Sequence, residues 1–122
     1  MPRQTLDDAR LHPAIRETVA NLNADIVHNV QAASASNPVL VVGMAQNPFC
    51  RRARKSLDGA AIPHHYLEYG SYLSRWRQRN ALKMWTGWPT FPLVFVKGSL
   101  VGGAAELDRL IASGELKRLL GE

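Results

Sequence analysis

Hydrophobic positions along the chain follow a helical period at first and then collect into short apolar runs. From Pro13 onwards, one stripe at helical spacing is formed by Ile15, Val19, Leu22, Ile26, Val27 and Val30. This period predicts one long helix, which ends in the small-residue run before Pro38 because proline cannot continue a helix. The next four residues, 39–42, are all apolar, which predicts a strand buried on both faces.

A second helix is predicted shortly after this strand. Asn47 is of a type that caps helices, and Pro48 suits the first helical position because its missing N–H would be unbonded there. The helix is predicted to continue through the basic residues 51–55. It is predicted to stop at Gly59, where glycine permits a left-handed cap.

The rest of the chain alternates strands and helices. The predicted elements are a strand over residues 63–67, a helix from Ser71 to about Trp85, a hairpin over residues 93–101 with Gly98 in its turn, and helices after Gly103 with a break near residues 113–114. This order predicts an α/β fold with a four-stranded mixed sheet flanked by helices. A right-handed crossover makes the first two strands parallel, and the hairpin adds an antiparallel edge. The arrangement is thioredoxin-like, with an extra N-terminal helix.

The composition is that of one globular domain. The chain has 122 residues, of which 46% are hydrophobic and 20% are charged, and this fits neither two domains nor a disordered chain. No apolar run reaches the roughly 18 residues of a membrane span, and the N-terminus lacks the apolar core of a secretory signal. A single cysteine cannot form an internal disulfide, which favours a reducing, cytoplasmic setting. The net charge of +5 favours anionic ligands without indicating nucleic acid.

The most informative short motif is Asn47-Pro48-Phe49-Cys50. Its spacing is that of a redox Cys-x-x-Cys pair at a turn from a strand into a helix, with Asn47 in place of the first cysteine. The first cysteine is normally the nucleophile, and the second resolves the mixed disulfide. The chain therefore keeps the frame of a redox site without the usual attacking sulfur atom.

A longer motif lies in residues 88–103, which read Trp-Pro-Thr-Phe-Pro-Leu-Val-Phe-Val-Lys-Gly-Ser-Leu-Val-Gly-Gly. This segment closely resembles glutaredoxins, particularly the monothiol branch of that family. Arg79, Leu82 and Lys83 precede the segment at the spacings of that branch, and Phe49 matches the aromatic residue inside its active-site turn.

The resemblance covers residues 37–112. It implies a glutaredoxin-like domain over residues 37–122, within a single compact protein. Residues 1–36 are then a tail and an added helix that covers the sheet.

The resemblance also implies a groove that binds glutathione. Pro92 would be a cis proline that faces the reactive turn, and the backbone of Phe91, next to Thr90, would pair with extended glutathione as in β-strand addition. The Gly102-Gly103 turn would present helix N–H groups to the γ-glutamyl carboxylate. On the residues alone, Pro92 is better explained as a proline at the start of a strand. The glycine pair also fits a tight strand-to-helix turn, and this turn and the binding role can hold together.

Four further positions bear on this ligand. Arg79 matches a family arginine that pairs with a glutathione carboxylate, although a solvated helix charge explains it equally well. Three positions depart from the family pattern. Asn47 replaces the nucleophile, Met44 (or Gln46 in a shifted alignment) replaces a lysine, and Ala105 replaces an acidic anchor two residues after the second glycine.

These departures lead to two hypotheses of different classes. The first is a protein of glutathione and thiol–disulfide redox chemistry whose oxidoreductase activity is weak or absent, and which retains a groove for glutathione or a thiol-containing protein. The second is an active monothiol enzyme in which Cys50 transfers electrons to disulfides or removes glutathione, with residues 51–55 stabilising its thiolate. A buried core cysteine and a solvated basic helix face are the ordinary explanations of these residues.

Other ligands receive less support from the sequence. An iron–sulfur cluster is a remote alternative, because its usual thiolate ligand is replaced by Asn47 and Cys50 would have to stand in. His64 and His65 have no partner at metal-ligand spacing, so no metal is predicted. Neither a membrane nor nucleic acid is expected as a partner.

Overall fold

The computed structural model describes residues 3–21, 23–71 and 74–121. The helices are α1 (Pro13–Asn21), α2 (Ala24–Ser36), α3 (Pro48–Gly59), α4 (Trp76–Thr86), α5 (Ala104–Ala112) and α6 (Glu115–Leu119). The strands are β1 (Val39–Gly43), β2 (His65–Glu68), β3 (Leu93–Val96) and β4 (Ser99–Gly102). A short 3₁₀ turn, Asp8–Arg10, precedes α1.

The four strands form one mixed sheet in the order β2-β1-β3-β4. β1 pairs with β2 in parallel and with β3 antiparallel, so that Val41 lies between Tyr66 and Val94. β3 and β4 form the antiparallel hairpin around Lys97 and Gly98, both of which have a positive φ. Every residue of β1 and β3 is buried, as expected for apolar strands covered on both faces. The predicted thioredoxin-like fold is therefore confirmed.

Alternate residues of β1 and β3 support a hydrophobic core on each face of the sheet. On one face the sheet packs against α2 and α4, and the core includes Leu40, Val42, Leu93, Phe95, Ile26, Val30 and Leu82. On the other face it packs against α3, α5 and α6, and the core includes Val39, Val41, Val94, Val96, Leu57, Leu107 and Leu116. The helices thus lie on both faces, which fixes the ends of β1 and β3 relative to α3 and α5.

The single N-terminal helix predicted from Pro13 is wrong, because the chain forms two helices there. Asn23 adopts a left-handed conformation with φ of 50°, which ends the run of helical backbone between α1 and α2. Ile26 and Val30 of the predicted stripe are buried in the core, whereas Ile15 and Val19 of α1 are about half exposed. Leu22 lies outside the described residues. The cover on the sheet is therefore α2, and the division at residue 36 stays a prediction.

One other predicted boundary and one predicted cap are corrected. α4 begins at Trp76 rather than at Ser71, after Arg75 with a left-handed φ of 55°. α3 does end at Gly59, but the left-handed residue is Ala61, with φ of 56°, two positions later. None of the helices within residues 3–21, 23–71 and 74–121 is long and apolar enough to cross a membrane.

The two N-terminal helices differ in burial, so equivalent substitutions should differ in cost. Ile26→Ala should lower the free energy of unfolding by about 2–5 kcal/mol, because the side chain is 2% exposed in the core. Ile15→Ala is the matched control and should change it by less than about 0.5 kcal/mol. Urea denaturation measures both values. Similar losses in the two variants would contradict the peripheral position of α1.

Candidate functional site

The turn between β1 and α3 is held by the side chain of Asn47. Its Oδ1 accepts hydrogen bonds from the backbone N–H of Phe49 at 2.9 Å and of Cys50 at 3.1 Å. Asn47 is itself buried, at 8% exposed. The predicted cap is confirmed, with Pro48 at the first position of α3. At the position that the usual nucleophile would occupy, the Asn47 side chain therefore accepts hydrogen bonds from N–H groups that have no partner within the helix.

Cys50 lies in the first turn of α3 and is 2% exposed. The approach to β1 is close, since a Cβ atom added to Gly43 would lie 2.7 Å from its Sγ. Burial raises the pKa of the Cys50 thiol, a hydrogen bond with the Met44 backbone offsets this only in part, and the Glu68 carboxylate raises the pKa further. This environment favours the neutral thiol.

Tyr66 and Glu68 of β2 complete the surroundings of this thiol. The Tyr66 hydroxyl donates to Glu68 Oε1 at 3.0 Å, and the Arg54 guanidinium lies 4.1 Å from the centre of the Tyr66 ring. Burial raises the pKa of Tyr66, and its hydrogen bond with Glu68 adds to this. The sequence reasoning missed this pair. The Tyr66–Glu68 pair could have been inferred from the parallel pairing of β1 with β2, because this pairing places Glu68 opposite Gly43.

A groove of about 220 Å³ opens beside the turn. It is lined by Phe49, Arg52, Thr90, Phe91, Pro92 and residues 103–106. The Phe91–Pro92 peptide bond is cis, as the resemblance implied. The structure therefore brings Thr90, Phe91, Pro92 and Gly103 together in one groove, and their role in binding a ligand stays a prediction. Cys50 does not line the groove.

The α5 end of the groove carries a carboxylate that the sequence reasoning overlooked. Glu106 Oε1 accepts a hydrogen bond from the Gly103 backbone N–H at 2.9 Å. Its side chain also lies against Gly102, where an added Cβ would be 2.6 Å from the Glu106 Cγ. An acidic residue three positions after a helix cap is a known capping pattern, and this spacing was the available signal. A carboxylate is thus present one residue beyond Ala105.

Arg79 is buried and does not line the groove. Its guanidinium donates hydrogen bonds to the backbone carbonyls of Tyr69 and Ser74. The same segment is joined to the β1–α3 turn by a hydrogen bond from the Ala45 N–H to the Gly70 carbonyl. Arg79 therefore supports the loop behind the turn, and its predicted contact with a ligand carboxylate stays a prediction.

The outer face of α3 is joined to α5 by Asp108. Its carboxylate accepts from Arg52 Nε at 2.8 Å and from Ser56 Oγ at 2.6 Å. Burial acts to raise the pKa of Asp108, but the hydrogen bonds from Ser56 and Arg52 and the charge of Arg52 outweigh it and lower the pKa. These contacts fix the two helices that border the groove.

Within the part of the chain that the structure describes, no three His, Cys, Asp or Glu side chains come together as a metal site. His64 instead places its Nδ1 at 3.1 Å from the carbonyl oxygen of Ile62.

A strand-to-helix turn that shares a groove with a cis proline, on a four-stranded mixed sheet, defines the thioredoxin-like class of fold. The glutaredoxin family model matches residues 39–101. A glutaredoxin-like protein of Dictyostelium discoideum is 41% identical over 102 residues, which cover 84% of this chain and 83% of that relative. The chain belongs to the glutaredoxin family.

Another relative and one solved structure agree with this assignment, and a second solved structure shares the fold. Glutaredoxin 4 of Buchnera aphidicola is 26% identical and is matched over 79% of this chain and 92% of its own length. Oxidized glutaredoxin 2 from Chlamydomonas reinhardtii superposes with a TM-score of 0.70 at 28% identity, covering 81% of this chain and 94% of that chain. A buckwheat glutaredoxin–glutathione complex gives a TM-score of 0.71 at 24% identity, with coverages of 83% and 92%.

The buried thiol should react slowly with alkylating reagents. Because burial raises the pKa of Cys50, the alkylation rate of the folded protein should reach half its maximum above the free-cysteine value of about pH 8.5. Stopped reactions with iodoacetamide, followed by mass spectrometry across pH, measure this midpoint. The protein unfolded in urea is the control and should titrate near the free value. A folded-state midpoint below it would contradict this description of the site.

Proposed function

We propose that this glutaredoxin binds glutathione or an extended thiol-containing peptide in its groove without covalent thiol–disulfide exchange, or with only weak exchange. Its family supports a role connected with thiol redox chemistry. The finer proposal rests on the two residues of the active-site turn. We also propose a reducing, cytoplasmic setting, in keeping with a single free cysteine.

The proposal rests on the different positions of Asn47 and Cys50 in the turn. Asn47 occupies the nucleophile position and uses its side-chain oxygen to cap α3. Cys50 carries the only thiol, and this thiol faces the sheet in a buried position with a raised pKa. A thiol attacks a disulfide as the thiolate and only when it is accessible. Neither condition is favoured at Cys50.

The groove itself supports retained binding. Strand pairing of β3 begins at Leu93, so the backbone of Phe91 lies outside the ladder and is available to an extended ligand. The groove also contains the start of α5, where the Glu106 carboxylate on the Gly103 N–H suits the amino group of an extended ligand. A buckwheat glutaredoxin of the same fold has been solved in complex with glutathione. This neighbour supports glutathione as the first ligand to test.

The alternative of an active Cys50 requires the first turn of α3 to open. Sγ would have to leave its contact with Gly43 and cross to the groove side of the helix. Arg54, one of the basic residues proposed to stabilise its thiolate, instead stacks on Tyr66. An iron–sulfur cluster fits the donor set poorly, because Asn47 offers no thiolate and Cys50 is buried.

Filling the groove should abolish ligand binding while leaving the fold intact. Ala105 is exposed and lines the groove, so Ala105→Phe should remove glutathione binding measured by isothermal titration calorimetry. Ala112→Phe, at an exposed position at the end of α5, is the matched control and should bind as the wild type does. Absence of binding in the wild-type protein, or equal binding in both variants, would overturn the proposed groove.

A thiol at position 47 should restore thiol–disulfide exchange. Asn47→Cys should increase glutathione-dependent reduction of a small disulfide, because a thiol at the start of a helix has a lowered pKa and carries about tenfold more thiolate at pH 7. Asn47→Ser is the matched control, since serine can cap α3 but cannot attack a disulfide. A wild-type rate equal to that of Asn47→Cys would contradict the proposal. A rate abolished by Cys50→Ser in the otherwise unchanged protein would favour the enzyme alternative.

A further inference from the structure

A cationic hollow lies next to the groove, on the outer face of α3. It has a volume of about 490 Å³ and is lined by Pro48, Arg51, Arg52, Lys55 and Ser56. Three of these five residues carry a positive charge, and none carries a negative one. The hollow is therefore a positively charged surface beside a candidate ligand site.

The charges of the hollow are only partly neutralised by the protein. Arg52 pairs with Asp108, its Nη2 lying 2.6 Å from the carboxylate. Arg51 and Lys55 are exposed, and among the described residues neither forms a salt bridge. Two cations thus remain available to an external anion, with Arg52 held in place between them and the groove.

The hollow and the groove adjoin at Arg52, which lines both. At its other end the groove has the opposite charge, since the Glu106 carboxylate lies at the start of α5. A ligand that extends from the groove over α3 therefore passes from the negative charge of Glu106 to the positive charges of the hollow. This arrangement of charges favours a chain with acidic groups on the α3 side and disfavours the reverse placement.

We propose that the natural ligand is an acidic, extended peptide segment of a protein partner, whose carboxylates lie over Arg51 and Lys55 while its backbone occupies the groove. This inference rests on the proposed function of the groove. It adds a preference for acidic side chains, which the binding of glutathione alone does not require. The backbone of Phe91, outside the β3 ladder, fits a peptide strand rather than a polynucleotide. The compact hollow also contrasts with the long basic stripe of a nucleic-acid surface.

The test uses three fluorescent peptides of equal length with a central serine, flanked by Glu, Gln or Lys residues. The Glu peptide should bind the full-length protein roughly threefold to thirtyfold more tightly than the Gln peptide at low salt, as expected for two exposed charge pairs. The Lys peptide should bind most weakly. The advantage of the Glu peptide should shrink as ionic strength rises from about 0.01 M to about 1 M.

Two matched double variants test whether the preference for the Glu peptide comes from the charges of the hollow. Arg51→Gln/Lys55→Gln should remove the advantage of the Glu peptide and leave Gln-peptide binding unchanged. Arg10→Gln/Lys97→Gln lowers the net charge equally at exposed positions that do not line the hollow or the groove, and it should retain the advantage. Lys97 follows the last residue of β3, whereas Pro92 of the groove precedes the first.

The outcomes separate this inference from the proposed function. Equal binding of the Glu and Gln peptides, or equal loss in both double variants, would overturn the acidic preference while the groove stands. Failure of all three peptides and of glutathione to bind would overturn both. An oligothymidine that binds as tightly as the Glu peptide and displaces it would replace the protein partner with a nucleic acid.

Discussion

The hydrogen bonds that the first N–H groups of α3 donate to Asn47 Oδ1 fix how the chain leaves the sheet, and the character of the site depends on them. A cysteine at this position would leave those donors to solvent or to a bound anion, as part of its reactivity. The asparagine satisfies them internally. The first N–H groups of α3 are therefore bonded within the protein, and the formal positive charges near them are those of the helix side chains.

The second constraint is the close contact between Cys50 and Gly43. Because glycine lacks a Cβ atom, the thiol can pack directly on β1, with the Tyr66–Glu68 pair on the neighbouring strand. The same rotation of α3 that buries Cys50 leaves Phe49 exposed beside the groove and turns Arg51 and Lys55 outward. Burial of the thiol and exposure of Phe49, Arg51 and Lys55 are thus two results of one helix orientation.

The fold was predictable because its signals are local. The apolar run of β1, the Asn47-Pro48 start of α3 and the hairpin around Gly98 each depend on a few neighbouring residues, and all three are confirmed. The N-terminal helix was predicted wrongly because its hydrophobic period continues across Asn23, whereas the backbone takes a left-handed conformation there. The buried setting of Cys50 depends on pairing between β1 and β2. The role of Glu106 depends on where α5 begins.

The central claim is that the retained groove works without thiolate chemistry, and intact-mass spectrometry after incubation with oxidised glutathione at neutral pH tests it directly. The folded wild-type protein should keep its unmodified mass, while Asn47→Cys/Cys50→Ser, which has no second thiol to resolve the adduct, should gain one glutathione as a mixed disulfide and release one reduced glutathione. A single glutathione adduct on the folded wild-type protein, absent from Cys50→Ser, would show that Cys50 is a competent nucleophile and would contradict the account.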